Sequence, residues 1–280
     1  MVGGAHPGAS RHRSKQRLQA MNGNLSLGQR YLAVTARVRQ AELAAGRTPG
    51  SVRLLAVSKT FSAACVAELA GAGHIAFGEN YLQEALGKIA ALGGPGDGSG
   101  VEEGAVRPVR QPGQRLEWHF IGPIQSNKTR RIAESFDWVQ SVDDEKIARR
   151  LSAQRPAHLP PLEVCIQVNV SGEASKSGCE PERLGEVAFE VAQLPQLRLR
   201  GLMAIPEPTD DVALQSRRFE QVRKLFEGVR SDLRSRGMNG ICMDTLSMGM
   251  SADLEAAIAQ GATLVRIGSA LFGDRPRPTP

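Results

Sequence analysis

Eight short apolar segments alternate with helical patterns over residues 52–272, and this alternation constrains the fold more than any other feature of the chain. The apolar segments are 52–58, 74–79, 117–122, 138–142, 162–170, 197–205, 242–248 and 264–272. Helical patterns at 62–72, 80–92, 126–134, 143–154, 180–194, 209–236 and 251–260 separate them. A further helix is predicted in front, over 25–46, from Leu25, Leu27, Tyr31, Leu32, Val34, Val38 and Leu43. Strands that alternate with helices pair in parallel through βαβ crossovers. A near-continuous apolar run such as LEVCIQVNV (162–170) belongs to a strand covered on both faces. Eight such units predict an α/β fold, a single (β/α)8 barrel of the TIM type with an extra N-terminal helix, over an open doubly wound sheet. No G-x-G-x-x-G follows the first strand and no G-x-x-x-x-G-K-[ST] occurs, which argues against a dinucleotide or nucleoside triphosphate site.

The rest of the chain is divided by composition. Residues 1–23 are rich in Gly, Arg and Ser and read as a disordered extension. They are also free of acids, as in a transit peptide, although Met21 as the true start explains them better. Residues 24–280 are read as one barrel domain, with 93–113 a Gly- and Pro-rich flexible insertion because the alternation resumes after it. Arg11, Arg13, Lys15 and Arg17 supply most of the net charge of +6, and elsewhere basic residues mix with acids. That pattern describes solvated helix surface rather than a nucleic-acid stripe. No apolar run is long enough to cross a bilayer. The four cysteines form no C-x-x-C pair and have no histidine at metal-ligand spacing, so reduced thiols in the cytoplasm are expected, with no metal site.

In a parallel barrel, chemistry gathers at the C-terminal ends of the strands. The residues there are Lys59, Glu79, Asn80, Gly122, Asn169, Ala204, Ile205, Ser247 to Met250 and Arg266 to Ser269. Lys59 follows LLAVS directly; partial enclosure lowers an amine's pKa, as a Schiff-base lysine requires, while the plainer alternative is a lysine that snorkels to the rim. SMGMS (247–251) and RIGS (266–269) occupy the positions where barrels commonly bind phosphate. Gly249 and Gly268 would let an anion approach the backbone, and Ser247, Ser251 and Ser269 offer hydroxyls, although Ser251 also suits a helix cap. Arg266 can only donate; facing a pyridine nitrogen it would keep that nitrogen unprotonated, and the plainer alternative is a rim salt bridge.

LLAVSKT (54–60), FGENYLQEAL (77–86), WHFIGPIQSNK (118–128), VNVSGEASKSG (168–178), GLMAI (201–205), LSMGMSADLEAAI (246–258) and VRIGSALFG (265–273) together resemble the pyridoxal phosphate homeostasis proteins, relatives of the N-terminal barrel of alanine racemase. The resemblance covers nearly all of residues 24–273. It implies a fold-type III barrel without the C-terminal β domain. It implies pyridoxal 5'-phosphate (PLP) as cofactor, with Lys59 as the Schiff-base lysine, Asn80 beside the ring and Arg266 facing the pyridine nitrogen. Ser247, Gly268 and Ser269 would hold the phosphate, with Met248 and Gly249 lining that loop. Phe61 and Ser62 stand where family members often have Lys-Pro, which removes one neighbouring charge.

A carrier or buffer of PLP without strong catalysis is therefore expected, a cytoplasmic monomer that hands its cofactor to PLP-dependent apoenzymes. The alternatives are an amino-acid racemase or decarboxylase of the same fold, a Schiff-base aldolase and, disfavoured by charge, a nucleic-acid binder. The chain ends soon after the eighth strand and Tyr31 and Tyr81 are its only tyrosines, so the expectation is that no tyrosine base follows the barrel. Lys176, with Asn169 and Ser175, is a candidate secondary anion site, or else a solvated loop lysine.

Overall fold

The computed structural model describes residues 25–94, 115–170 and 177–273. The extension 1–23 and nearly all of the insertion 93–113 lie outside them. The strands are β1 (Arg53–Val57), β2 (Ala76–Glu79), β3 (Glu117–Phe120), β4 (Trp138–Val142), β5 (Leu162–Gln167), β6 (Leu197–Met203), β7 (Thr245–Ser247) and β8 (Leu264–Ile267). All neighbours pair in parallel, and β8 pairs back onto β1, so the sheet closes into the predicted barrel. The helices are α1 (Leu27–Ala44), α2 (Ala63–Gly71), α3 (Leu82–Leu92), α4 (Thr129–Ser135), α5 (Glu145–Gln154), α6 (Leu184–Ala192), α7 (Val212–Ser235), α8 (Leu254–Ala259) and α9 (Ser269–Phe272).

Several segments differ from the sequence expectation. The run 264–272 is not one strand: β8 ends at Ile267 and Ser269–Phe272 turn into a short helix, with Leu271 N donating to Gly268 O. Apolar residues fit either state, and only the turn at Gly268 separates them. The predicted strand 162–170 stops at Gln167, and 242–248 contains only three strand residues. On α1, Leu32 and Leu43 are 69% and 62% exposed rather than core-facing. That helix is started by a capping box between Ser26 and Gln29 and buries Val34, Val38 and Ala41. It packs on α2, α8 and α9, bridging the place where the first and last units meet.

Alternation along each strand divides the core. Ala56, Trp118, Phe120, Val265 and Ile267 belong to the large outer cluster shared with the helices. Leu55, Val57, Ile121 and Leu264 form a small inner cluster. Trp138, Cys165 and Met203 form another. His119, Gln140, Ser247 and Arg266 are also buried and alternate with outward residues, so polar side chains occupy part of the barrel's interior.

His74, before β2, is 6% exposed, and its Nε2 donates to Ala76 O at 2.8 Å. Burial lowers its pKa to about 4, against the smaller opposing effect of that hydrogen bond. The folded state therefore binds fewer protons than the unfolded state between pH 6.5 and 4, and stability falls as pH falls through this window. At 1.4 kcal/mol per unit, His74 alone accounts for about 3 kcal/mol of acid loss. The variant His74→Gln should flatten denaturation midpoints between pH 6.5 and 4; a variant with the same pH slope as the parent would show that His74 does not titrate this way.

Candidate functional site

Lys59 leaves the C-terminal end of β1 half-buried, between two residues that are firmly held. Ser58 is fully buried; its N donates to Gly78 O, and its Oγ donates to Glu79 Oε1 at 2.5 Å. Thr60 has φ 69°, in the left-handed region, and its N donates to Glu84 Oε1 at 2.6 Å. A non-glycine residue in that region costs about 1 kcal/mol or more and persists only where its surroundings enforce it. Lys88 supplies the enforcement. Its side chain is 5% exposed, and its Nζ donates to Ser58 O at 2.7 Å, Glu79 Oε1 at 2.7 Å and Glu84 Oε1 at 2.6 Å. Burial pushes the Glu79 carboxyl up, and Lys88 and Ser58 oppose that rise. The stretch from Glu79 to Lys88 is thus a clamp on the turn that carries Lys59. Sequence reasoning missed Lys88, although its spacing from Glu84 was a signal for an ion pair on one helix face.

Asn80 follows β2 at the same rim. Its Oδ1 is buried without a hydrogen-bond partner, which is costly unless a ligand donates to it. Gly122 lets the chain pass there: a Cβ on it would stand 2.2 Å from Asn80 O.

Arg266 is 4% exposed on the inner face of β8. Its NH1 donates to Ser247 O and Ser247 Oγ, both at 2.7 Å, and its NH2 donates to Ala204 O at 2.8 Å. Burial pulls its pKa down to about 10, so it remains a cation at neutral pH. The rim salt bridge considered above is therefore replaced by carbonyl and hydroxyl partners inside the barrel. Ser247 differs from expectation too. It is fully buried and its hydroxyl proton goes to Gln140 Oε1 at 2.6 Å, so in this structure the hydroxyl serves Arg266 and Gln140 rather than facing the mouth.

The turns after β7 and β8 meet. Ser269 Oγ donates to Ser251 Oγ at 3.3 Å, and Ala270 N donates to the same oxygen at 3.4 Å. Arg37 on α1 holds this corner from behind, donating to Ser251 O at 2.8 Å and gripping both carboxylate oxygens of Glu255. Gly249 has φ 92°, and a Cβ there would strike Ala257 at 2.5 Å, so the turn and its packing on α8 demand glycine. Gly268 has neither demand: its nearest neighbour would be Val57 O at 3.4 Å. Met248 is fully buried in the outer core, so its side chain does not line the mouth. Strand pairing of Ala56 with Ile267 places Gly268 against Val57, two residues before Lys59, at the same end of the barrel.

Asn169 is buried and its Nδ2 donates to Glu180 Oε1 at 3.3 Å, whereas Ser175 and Lys176 of the secondary site lie outside the described residues. All four cysteines are free thiols, and burial pushes Cys165 up to about 12. Among the described residues no group of His, Cys, Asp and Glu could hold a metal ion, and no helix is long and apolar enough to cross a membrane.

A parallel barrel with a clamped lysine at the end of β1, a buried arginine on β8 and paired serines beyond β7 and β8 falls in the class built on the alanine racemase barrel. The family model for the alanine racemase N-terminal domain matches residues 33–276. Within that class, the chain belongs to the pyridoxal phosphate homeostasis protein family. It is 58% identical over 250 residues to the pyridoxal phosphate homeostasis protein of Pseudomonas aeruginosa, covering 89% of this chain and 96% of that one. Among solved structures, PipY of Synechococcus elongatus PCC7942, with PLP bound, superposes with a TM-score of 0.69 at 31% identity, over 89% of this chain and 100% of that one. Alanine racemase from Corynebacterium glutamicum shares the fold, with a TM-score of 0.58 at 16% identity, over 89% of this chain and 62% of that one.

Proposed function

We propose that this protein binds PLP at the mouth of the barrel and serves as a reservoir of the cofactor rather than as an enzyme. The observation that carries the reading is Lys59, half-buried at the same end of the barrel as the serine-bearing turns, in a chain 31% identical to a protein solved with PLP bound. PLP supplies a reactive aldehyde, an electron-withdrawing ring and a phosphate. Lys59 would hold the aldehyde carbon. The orphaned Asn80 Oδ1 fits a polar group beside the ring, and Arg266 fits the ring nitrogen. Ser269, Ser251, Ala270 N and the unobstructed Gly268 fit the phosphate, while Ser247, Met248 and Gly249 shape the wall behind it. Enclosing the aldehyde protects it from stray amines, and release to apoenzymes is the corresponding cellular role.

The reservoir reading rests on where the proton-transfer groups are. Besides Lys59, a racemase needs a second proton-transfer group within reach of the α-carbon, on the opposite face. Both nitrogens of His119 are engaged inside the barrel, by Glu117 and Gln140. Tyr31 packs edge-on against His74, and Tyr81 is 55% exposed at the start of α3. Arg266 opposite the ring nitrogen would weaken the ring as an electron sink. With no second such group positioned among the described residues, the loss is about two to four orders of magnitude in rate. The purified protein should be yellow. Incubated with L-alanine and other L-amino acids in deuterated water, it should exchange α-protons far below about 1 per second, the lower end of ordinary enzyme turnover. Exchange or racemisation at that rate or faster would make the protein a racemase instead.

A further inference from the structure

A single file of hydrogen bonds runs through the barrel beneath Arg266. Arg266 NH1 reaches Ser247 Oγ at 2.7 Å; Ser247 Oγ reaches Gln140 Oε1 at 2.6 Å. Gln140 Nε2 reaches His119 Nδ1 at 2.8 Å, and His119 Nε2 reaches Glu117 Oε1 at 2.6 Å. Glu117 in turn pairs with Arg53 at the opposite end of the barrel. The residues come from β8, β7, β4 and β3, and His119, Gln140 and Ser247 are each fully buried. Trp138 stacks on the His119 ring, 5.1 Å away and 12° from parallel, which fixes the ring plane.

The two ends dictate the direction of every bond. Arginine has only protons to give, so Ser247 Oγ must accept from it and point its own proton at Gln140. The amide then presents Nε2 to His119, whose Nδ1 must accept. The remaining imidazole proton sits on Nε2 and is donated to the Glu117 carboxylate. Burial lowers the His119 pKa against the opposing pull of Glu117, which agrees with a neutral ring. A cation at one end and an anion at the other hold one polarity along the file, and no member can rotate without breaking two bonds.

We propose that His119 and Gln140, anchored by Glu117, are positioning residues for the cofactor: they lock the Ser247 hydroxyl, and through it the guanidinium of Arg266, in one orientation toward the ring. This rests on the PLP reading above. It assigns the buried polar file a task that a barrel interior filled with aliphatic side chains could not perform, since apolar groups pack but do not orient a guanidinium.

Measurements on the cofactor-free protein and on the holoprotein test it. In the cofactor-free protein, side-chain nitrogen NMR should show His119 neutral with its proton on Nε2; a proton on Nδ1 overturns the file whether or not cofactor binds. In the holoprotein, Gln140→Met keeps the volume and removes both central bonds. It should still be labelled at Lys59 on borohydride reduction, but should release PLP about fivefold faster, the worth of one net hydrogen bond. The pH profile of the visible band should shift as well. The effects of Gln140→Met and Arg266→Lys should be less than additive, because both act through one guanidinium. Normal uptake with unchanged release and spectrum in Gln140→Met, or full additivity, overturns the relay alone. A parent protein that takes up no cofactor overturns the PLP reading instead.

Discussion

Replacing Lys59 with alanine should abolish the visible chromophore and reduce PLP affinity at least about a hundredfold, or ~2.8 kcal/mol at 1.4 kcal/mol per tenfold. The lysine is half-buried and its neighbours Ser58 and Thr60 are held by Glu79, Glu84 and Lys88, so the fold should survive the substitution. Lys59→Arg separates two causes. It keeps a positive charge in the mouth, yet a guanidinium is a poor nucleophile at neutral pH, so it should lose the chromophore as alanine does. Residual uncoloured binding through the phosphate corner is compatible with the assignment. Borohydride reduction of the parent followed by peptide mapping should label Lys59. Lys88 is the nearest rival in the sequence, but its amine already serves three acceptors at 5% exposure. Label on any other lysine, with none on Lys59, would remove Lys59 from its role.

The fold was legible because it depends on repetition. Eight apolar runs with helices between them specify a barrel even where individual boundaries slip, as at β5, β7 and the end of β8. The rim residues were legible for the same reason: in a parallel barrel the residue after each strand faces the mouth, which singled out Lys59, Asn80 and the turns at Ser251 and Ser269. The interior was not legible. Both faces of a buried parallel strand are enclosed, so the sequence did not reveal that His119 and Gln140 point inward while Trp118 and Val139 point outward. The bond from Ser247 to Gln140 was hidden for that reason, since the two stand 107 positions apart. Gly249 was read for anion approach alone, and the structure adds a demand of φ and of contact with Ala257. Such contacts arise only once distant strands close, and no local pattern encodes them.

Lys88→Met should be the most damaging single change near the site. The substitution conserves length and apolar stem but leaves Glu79, fully buried, and half-buried Glu84 with no ammonium between them. Breaking a buried ion pair by removing one partner costs about 3–5 kcal/mol. For a domain of this size that corresponds to a fall in Tm of roughly 10 °C. The loss has a recognisable pH dependence. Burial already raises the Glu79 pKa, and without Lys88 it rises further, so the folded protein holds a proton that the unfolded chain releases. Stability contributed by such a group is fully present below the unfolded carboxylate pKa and is lost as pH rises through the folded one. The deficit of Lys88→Met against the parent should therefore be greatest at neutral pH and should narrow toward about pH 4.5, the ordinary carboxylate range. A packing defect alone would give a deficit independent of pH, so denaturant titrations at several pH values distinguish the two. The same variant should free Thr60 to leave its left-handed conformation, because Glu84 would no longer be held in place to fix its amide. Lys59 would then lose its defined approach to the mouth, and uptake of PLP should slow even where the variant is still folded. Normal stability at neutral pH together with normal uptake would show that the clamp on Lys59 does not depend on Lys88.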